Sequence, residues 1–225
     1  MRRRFACMLL AAANALVISE SSAFANPPEA PVKPTENGAE RRSGIVFGLS
    51  LGVFGLGGAS GTPNNANKIN DSRYYSSSGL MLGNSFTLFI MGALADPISF
   101  GFFFNGQSFS NGDYKASGSG FGFRLDLYPF AISKQFKPIL RDIAVTSEFG
   151  IGGVLMTPKN DDKTISAQGT QSFLSTGIMY DMKVAKLLGG HLSLGPEVDY
   201  QVVTSTSAEE HGVSVAFRLA FNGGP

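Results

Sequence analysis

Hydrophobic and polar residues alternate with a period of two along most of the chain after residue 43. In the last segment, Val213, Val215 and Phe217 alternate with Ser214, Ala216 and Arg218. Such alternation places every apolar side chain on one face of a β-strand. The pattern recurs with small defects and predicts about eight antiparallel strands. Their ranges are 44–57, 79–94, 98–105, 119–130, 143–156, 172–185, 191–204 and 213–221.

The chemistry of the two strand faces indicates which face meets which solvent. The apolar face carries large and aromatic residues, whereas the other face is mostly Gly, Ser and Ala with a few charges. A soluble β-sandwich or lipocalin-like barrel would need the polar face outside, and this face is too small and too sparsely charged for that role. The reverse arrangement, with bulky residues toward lipid, is typical of membrane barrels. We therefore predict an all-β protein, a transmembrane antiparallel up-and-down β-barrel over residues 43–222 with a tail at 223–225.

A pair of transmembrane helices at 44–57 and 80–104 is the competing membrane interpretation. Asp96-Pro97 interrupts the second segment, and glycines interrupt both. A spanning helix needs about 20 predominantly apolar residues, which neither segment supplies. The pattern therefore favours strands.

An even number of strands brings both chain ends to the same side of the membrane, normally the periplasm. Two of the connections on that side are short, at 95–97 and 186–190, while the third, 131–142, is long for a periplasmic turn. The other connections are polar and are expected on the outside. They are 58–78, 106–118, 157–171 and 205–211.

The first 42 residues predict export across the inner membrane. Basic residues 2–4 and an apolar run over 5–18 precede Ala23-Phe24-Ala25, a small-x-small cleavage site. We expect a signal peptide over residues 1–25, a mature start at Asn26 and a Pro-rich periplasmic linker over 26–42. The single Cys lies in the leader, so the mature chain has no disulfide framework. With 16% charged residues and a net charge of +1, nothing indicates nucleic-acid binding.

Together, the leader, the eight alternating segments and the last segment resemble the small eight-stranded outer-membrane proteins of Gram-negative bacteria, including the barrel of outer membrane protein A and its short relatives. The resemblance implies a place in the cell envelope, with outer-membrane lipid and the outer-membrane assembly machinery as partners. It also implies that Phe217, Leu219 and Phe221 form the C-terminal assembly signal. In that family the last residue is usually Phe, whereas here four residues follow Phe221.

Charged residues on the inward face form the main candidate site. Arg124 and Glu148 lie almost symmetrically about connection 131–142, and Glu197 and Arg218 about connection 205–211, so we expect two ion pairs. Barrel shear could replace one partner by a diagonal carboxylate such as Asp181 or Asp199. The network would act either as a plug or as a gate whose pairs exchange partners. It comprises Arg124, Asp126, Glu148, Asp181, Lys183, Glu197, Asp199 and Arg218.

A catalytic role receives little support from the sequence. His191, Ser193 and Glu197 are similar to the His-x-Ser motif and carboxylate of the lipid A deacylase family. However, His191 follows a periplasmic turn and Ser193 points inward, whereas lipid A chemistry needs the outer leaflet. We expect no catalytic residues, no cofactor and no metal site. The expected role is a structural or surface-interaction protein whose external loops meet an extracellular partner; the alternative is a narrow, porin-like gated channel.

Overall fold

The computed structural model describes residues 44–133, 135–159, 171–205 and 207–223. The predicted cleavage site at Ala23, Ala25 and Asn26, and the linker 26–42, lie outside these ranges. The described residues form mainly strands. These are β1 (Gly44–Gly61), β2 (Ser76–Ser77), β3 (Met81–Ala95), β4 (Ile98–Ser110), β5 (Tyr114–Leu127), β6 (Ile143–Pro158), β7 (Gln171–Tyr180), β8 (Met182–Leu187), β9 (Gly190–Thr204) and β10 (Ala208–Gly223).

The strands close into an antiparallel barrel. Neighbouring strands pair in the order β10, β1, β3, β4, β5, β6, β7 and β9, and β10 also pairs with β9. The closing β1–β10 pair runs from Val46 opposite Asn222 to Gly61 opposite Ala208. Strand β8 continues β7 after a break at Asp181 and pairs with β9 alone. Counted as one strand, β7 and β8 make the barrel eight-stranded. The predicted fold is confirmed. Full closure matters in lipid because it leaves no unpaired sheet edge.

Buried and exposed residues alternate along the strands and form an inner and an outer surface of the barrel. In β10 every second residue from Ala208 to Asn222 is buried, while Val213, Val215, Phe217 and Leu219 remain exposed on the outer face. Strand β1 keeps this order despite a bulge: the register shifts between Gly52 and Phe54, so Val53 and Phe54 both face outward. Such an extra residue is a normal device for bending a barrel strand.

The strands are longer than predicted at the end opposite to Gly44 and Gly223. The connections there shorten to 62–80, interrupted by β2, then 111–113, 159–170 and 205–207. The predicted loops 106–118 and 205–211 are therefore mostly strand. The reason is visible inside the barrel, where Gln107, Phe109 and Glu210 continue the inward alternation and are buried.

At the end that holds Gly44 and Gly223, the long connection after β5 carries a 3₁₀ turn, Pro129–Ala131, and one short helix, α1 (Pro138–Arg141). The Phe130 and Phe136 rings meet edge to face with centroids 5.2 Å apart. Asp142 at the end of α1 accepts a backbone hydrogen bond from Asp181 at 2.9 Å, which fastens this connection to the wall. Within the described ranges, no helix has the length and apolarity needed to cross a bilayer.

Candidate functional site

Arg124 is the centre of a buried ion-pair network inside the barrel. Its guanidinium donates from Nε to Asp126 at 2.9 Å, from Nη1 to Glu148 at 2.9 Å and from Nη2 to Glu197 at 2.6 Å. The Arg124 side chain is 1% exposed, and the three carboxylate side chains are at most 7% exposed. Burying these charges would be costly without partners, and Arg offers the five fixed donors that such a site needs.

A second guanidinium, that of Arg218, extends the network. Its Nη2 lies 3.4 Å from Asp126, and its Nη1 lies 3.1 Å from Asp181. Tyr128 donates its hydroxyl to Asp181 at 3.1 Å. Asp126 therefore bridges the two arginines, and the charges form one continuous layer across the interior.

The Phe89 ring lies between the barrel wall and both arginines. The guanidinium carbons of Arg124 and Arg218 are each 4.7 Å from its centroid, a distance typical of cation–π contacts. A Cβ on Gly48 would lie 2.5 Å from Cζ of Phe89, so the ring needs glycine at this position of β1. The aromatic ring thus supports the charged layer from one side.

The structure brings together one of the two expected ion pairs. Arg124 and Glu148 lie directly opposite each other on β5 and β6. The expected Glu197–Arg218 pair is not a direct salt bridge among the described contacts, although the two charges lie close enough to attract each other. The connection 205–207 is short, so the centre of the β9–β10 register lies one residue earlier than expected. Arg218 then faces Gly195 and contacts Asp181, one of the two expected diagonal substitutes. Glu197 contacts Arg124 and accepts a short hydrogen bond from Ser50.

Lys183 was expected on the lumen face as part of the network, and it lies opposite the inward-facing Ser193 at the open end of the barrel. It belongs to β8, whose residues are all exposed. The reason is that β6 begins at Ile143, opposite Tyr180, so β8 projects past its neighbour and pairs with β9 only. A side chain at this open end of the barrel reaches water instead of the core.

Asp199 lies beside the network without a direct salt bridge to either arginine among the described contacts. It is half-buried and accepts a long hydrogen bond of 3.4 Å from Thr146. The carboxylates of Glu197 and Glu148 are close enough to repel its charge, and the Arg124 guanidinium is close enough to attract it. With Asp199, this layer contains five carboxyl groups and two guanidinium groups, so its formal net charge is negative.

A different kind of layer closes the other half of the interior. The Phe109 ring fills space that glycines leave open: a Cβ on Gly55, Gly83 or Gly212 would lie within 2.9 Å of the ring. Small or flexible apolar side chains surround it, namely Ala59, Met81, Ala116 and Met156. Sequence reasoning missed this layer because it placed residues 106–118 in a loop, although the alternation of Phe103, Asn105, Gln107 and Phe109 continues through that range.

Ser193 and Glu197, two members of the segment that resembles a lipid A deacylase motif, are hydrogen-bonded within the barrel. Ser193 donates to the backbone oxygen of Ala220 at 3.4 Å and accepts from Asn222 at 3.1 Å. Glu197 is engaged with Arg124 and Ser50. His191 and Ser193 are buried at the end of the barrel that holds Gly44 and Gly223. These contacts make Ser193 part of the packing between β9 and β10.

The remaining predicted residues lie on the outer face of β10. Phe217 is 55% and Leu219 is 44% exposed, and the Phe221 ring lies 5.2 Å from the Phe47 ring on β1. The three side chains of the predicted assembly signal therefore form an outward row at the closing seam of the barrel.

Solved structures with a similar course of the chain were found, all at low sequence identity. Ail, the attachment invasion locus protein of Yersinia pestis, is 9% identical with a TM-score of 0.45, over 80% of this chain and 99% of that one. OprG of Pseudomonas aeruginosa is 9% identical with a TM-score of 0.41, over 82% and 99%. The outer membrane protease OmpT of Escherichia coli is 8% identical with a TM-score of 0.39, over 83% and 99%.

No protein-family model matches the sequence, and no curated protein matches it significantly. Structural similarities as distant as these carry no argument about activity. The closed strand order, the apolar outer face and the charged, small-residue interior themselves define the fold as that of a small outer-membrane β-barrel.

Proposed function

We propose that the chain is a non-enzymatic integral protein of the bacterial outer membrane, with a plugged lumen and a structural or surface-interaction role through its external loops. The filled interior of the barrel is the observation that supports this proposal. The arginine–carboxylate layer and the Phe109 layer both cross it, and an eight-stranded barrel is only just wide enough for side chains. Two closed layers in series favour a protein that does not conduct.

Single-channel recording in planar bilayers tests the plug. We expect the purified mature protein to show no steady open level, because water and ions would have to displace both layers. A stable conductance at low voltage in the unmodified protein would contradict the proposal.

The orientation follows from the lengths of the connections. Both ends of the barrel chain lie at one end, where the turns 96–97 and 188–189 are short and the connection 128–142 is the exception, and the longest connection, 62–80, lies at the other end. Periplasmic turns are short and external loops long in such barrels. We therefore place loop 62–75 outside the cell.

Loop 62–75 presents a surface suited to contact with a partner. Tyr74 and Tyr75 are exposed, and the cations of Lys68 and Arg73 lie 5.0 and 5.9 Å from the Tyr74 ring centroid. Asp71 fixes Arg73 through a 2.6 Å hydrogen bond, and this bond lowers the pKa of the Asp71 carboxyl. Tyr and Arg are enriched at protein interfaces, which supports a surface-interaction role for this loop.

Cysteine labelling on intact cells tests location and orientation together. The only native Cys is in the predicted leader, so Tyr75→Cys would carry the single thiol of the mature protein. We expect a membrane-impermeant maleimide to label it in intact cells. Leu188→Cys, at a 90% exposed turn of the opposite end, is the matched control and should react only after the outer membrane is permeabilised. The reverse pattern would overturn the orientation.

A gated cation channel is the second candidate, and the acidic surplus of the arginine layer favours it. Five carboxylates facing two guanidinium groups would favour cations over anions if the layer opened. A voltage-dependent conductance with cation selectivity, lost in Asp199→Asn, would support this function over the plug.

A further inference from the structure

Connection 128–142 carries large apolar side chains that the barrel does not bury. Ile132 is 76%, Phe136 is 41% and Ile139 is 60% exposed. The contact of this connection with the barrel interior is made by other residues, among them Ala131, which is buried. Exposed apolar residues grouped in this way mark a surface that contacts lipid or a protein partner.

Local contacts fix the position of this apolar group. The Phe136 ring meets the Phe130 ring edge to face, as described above. Helix α1 follows directly, and the backbone oxygen of Asp142 at its end accepts a hydrogen bond from the backbone N–H of Asp181 at 2.9 Å. The exposed apolar residues therefore belong to a segment that is fastened to the barrel wall.

The lipid-facing surface of the barrel leads into this connection on both sides. Leu127 and Val145 lie opposite each other on β5 and β6, and both are exposed on the outer face. Leu127 is the last residue of β5, so the connection begins where this apolar face ends. Because a bilayer covers the apolar band of such a barrel, its headgroup region lies next to the connection.

The connection also carries a positive charge. Its sequence contains Lys134, Lys137 and Arg141 against Asp142, which gives a formal charge of +2. Lys137 follows Phe136 directly and is exposed. Segments that combine apolar residues with Lys and Arg bind at the membrane interface, because the apolar side chains enter the acyl boundary while the cations reach the lipid phosphates.

We infer that connection 128–142 binds the headgroup region of the adjacent leaflet, with its three exposed apolar side chains in the acyl boundary and Lys137 on the phosphate of an anionic phospholipid. The length of the connection fits this role, since turn 96–97 joins two strands at the same end with two residues. The assignment to the periplasmic leaflet rests on the function and orientation proposed above. The contact with lipid requires only that the barrel crosses a bilayer.

A single Trp introduced into the connection measures its depth in the bilayer. The chain contains no Trp, so Phe136→Trp gives the full mature protein, refolded in lipid vesicles, one Trp at this surface. We expect its fluorescence to be quenched by phospholipids that are brominated near the headgroup end of the acyl chains, and hardly by iodide in the water. Ile139→Trp is the second reporter should Phe136→Trp not refold.

Two control variants separate this inference from the proposed membrane location. Phe104→Trp, on the outer face of β4, should be quenched by brominated lipid, and Tyr75→Trp, in loop 62–75, by iodide. Iodide quenching of Phe136→Trp and Ile139→Trp, with Phe104→Trp still quenched by bromine, would overturn the inference alone and leave the apolar group to a soluble protein or a second copy of the chain. Absence of bromine quenching in Phe104→Trp would overturn the membrane location and the inference with it.

Vesicles of phosphatidylcholine and phosphatidylglycerol, with bromine on one lipid or the other, test the headgroup. At low salt we expect brominated phosphatidylglycerol to quench Phe136→Trp more than the same fraction of brominated phosphatidylcholine, corresponding to an enrichment of up to about fivefold. This preference should disappear at high salt and fall when Lys137→Gln is added. Lys115→Gln, which removes an exposed cation at the opposite end of β5, is the matched control and should keep the preference. Equal quenching by both lipids at low salt, or an undiminished preference with Lys137→Gln, would overturn the assignment of an anionic phospholipid to Lys137.

Discussion

The two layers inside the barrel close the same lumen by different physical means. In the arginine layer, bond directions and charge hold the side chains: Arg124 engages Asp126, Glu148 and Glu197 at 2.6 to 2.9 Å. In the outer layer, the Phe109 ring occupies space left by glycines among Met and Ala side chains. The comparison teaches that closure by charge depends on every partner, whereas closure by shape depends on volume. Single substitutions should therefore act differently in the two layers.

The largest effect is expected in the arginine layer. Arg124→Gln leaves three carboxylates without their common partner, and breaking a buried pair typically costs about 3 to 5 kcal/mol. Glu148→Gln should be severe as well, and the double variant should cost much less than the sum of the two. The measurement is a double-mutant cycle on unfolding in lipid vesicles, with conductance followed in parallel.

Lys183→Gln is a suitable control for this cycle, because it removes an exposed cation from β8 instead of a buried one. It should change stability by less than about 1 kcal/mol. Additive effects of Arg124→Gln and Glu148→Gln would show that the pair contributes nothing. A jump in conductance in either single variant would favour the gated channel over the plug.

Phe109→Ala should damage the outer layer to a similar or smaller extent, without opening the barrel. Truncating a buried Phe typically costs about 3 to 5 kcal/mol, since part of the cavity remains. Conductance should stay absent because the arginine layer is untouched. Phe104→Ala, on the 45% exposed outer face, is the matched control and should cost less. An open level in Phe109→Ala would mean that the arginine layer alone does not seal the lumen.

A cation introduced on the lipid-facing surface should destabilise the protein somewhat less than a substitution in either interior layer. Phe123 is exposed on β5, and its ring lies 5.6 Å from the rings of Phe100 and Phe149. Phe123→Arg should destabilise the protein by about 2 to 4 kcal/mol in vesicles, and Phe123→Leu should be much milder. Equal stability of Phe123→Arg and the unmodified protein would place this face away from lipid.

Strand number, closure and the sides of most residues follow from alternation alone, because a period of two survives local defects. Alternation cannot supply distances between strands. Alternation places Gly122 on the inward face and predicts that Gly122→Ser is well tolerated. However, a Cβ at this position would lie 2.2 Å from the backbone oxygen of Phe149. Close approach of β5 and β6 at Gly122 and Gly150 is invisible in the sequence.

Register and partner choice were the other limits of sequence reasoning. A shift of one residue in the β9–β10 turn was enough to replace the expected Glu197 partner of Arg218 by Asp181. Lys183 is exposed because β6 begins at Ile143, opposite Tyr180, and leaves β8 without a neighbour on that side. Glu210 was assigned to a loop because polar residues surround it in sequence, although they point outward while it points inward. Each error comes from strand pairing, which depends on residues far apart along the chain.

The smallest effect is expected at Asp199. Whether Asp199→Asn raises or lowers the stability of the protein tests whether this carboxylate belongs to the ion-pair network. Among the described residues its one hydrogen bond, from Thr146, is 3.4 Å long. Arg124 attracts its charge, whereas the nearby Glu197 and Glu148 carboxylates repel it. Asp199→Asn removes this repulsion and keeps the side-chain shape, so stability in vesicles should stay the same or rise slightly. Glu197→Gln, an isosteric change at a carboxylate that Arg124 and Ser50 both contact, should instead destabilise the protein clearly. If Asp199→Asn were as harmful as Glu197→Gln, Asp199 would be a full member of the ion-pair network and the acidic surplus of this layer would be compensated by a cation bound beside it.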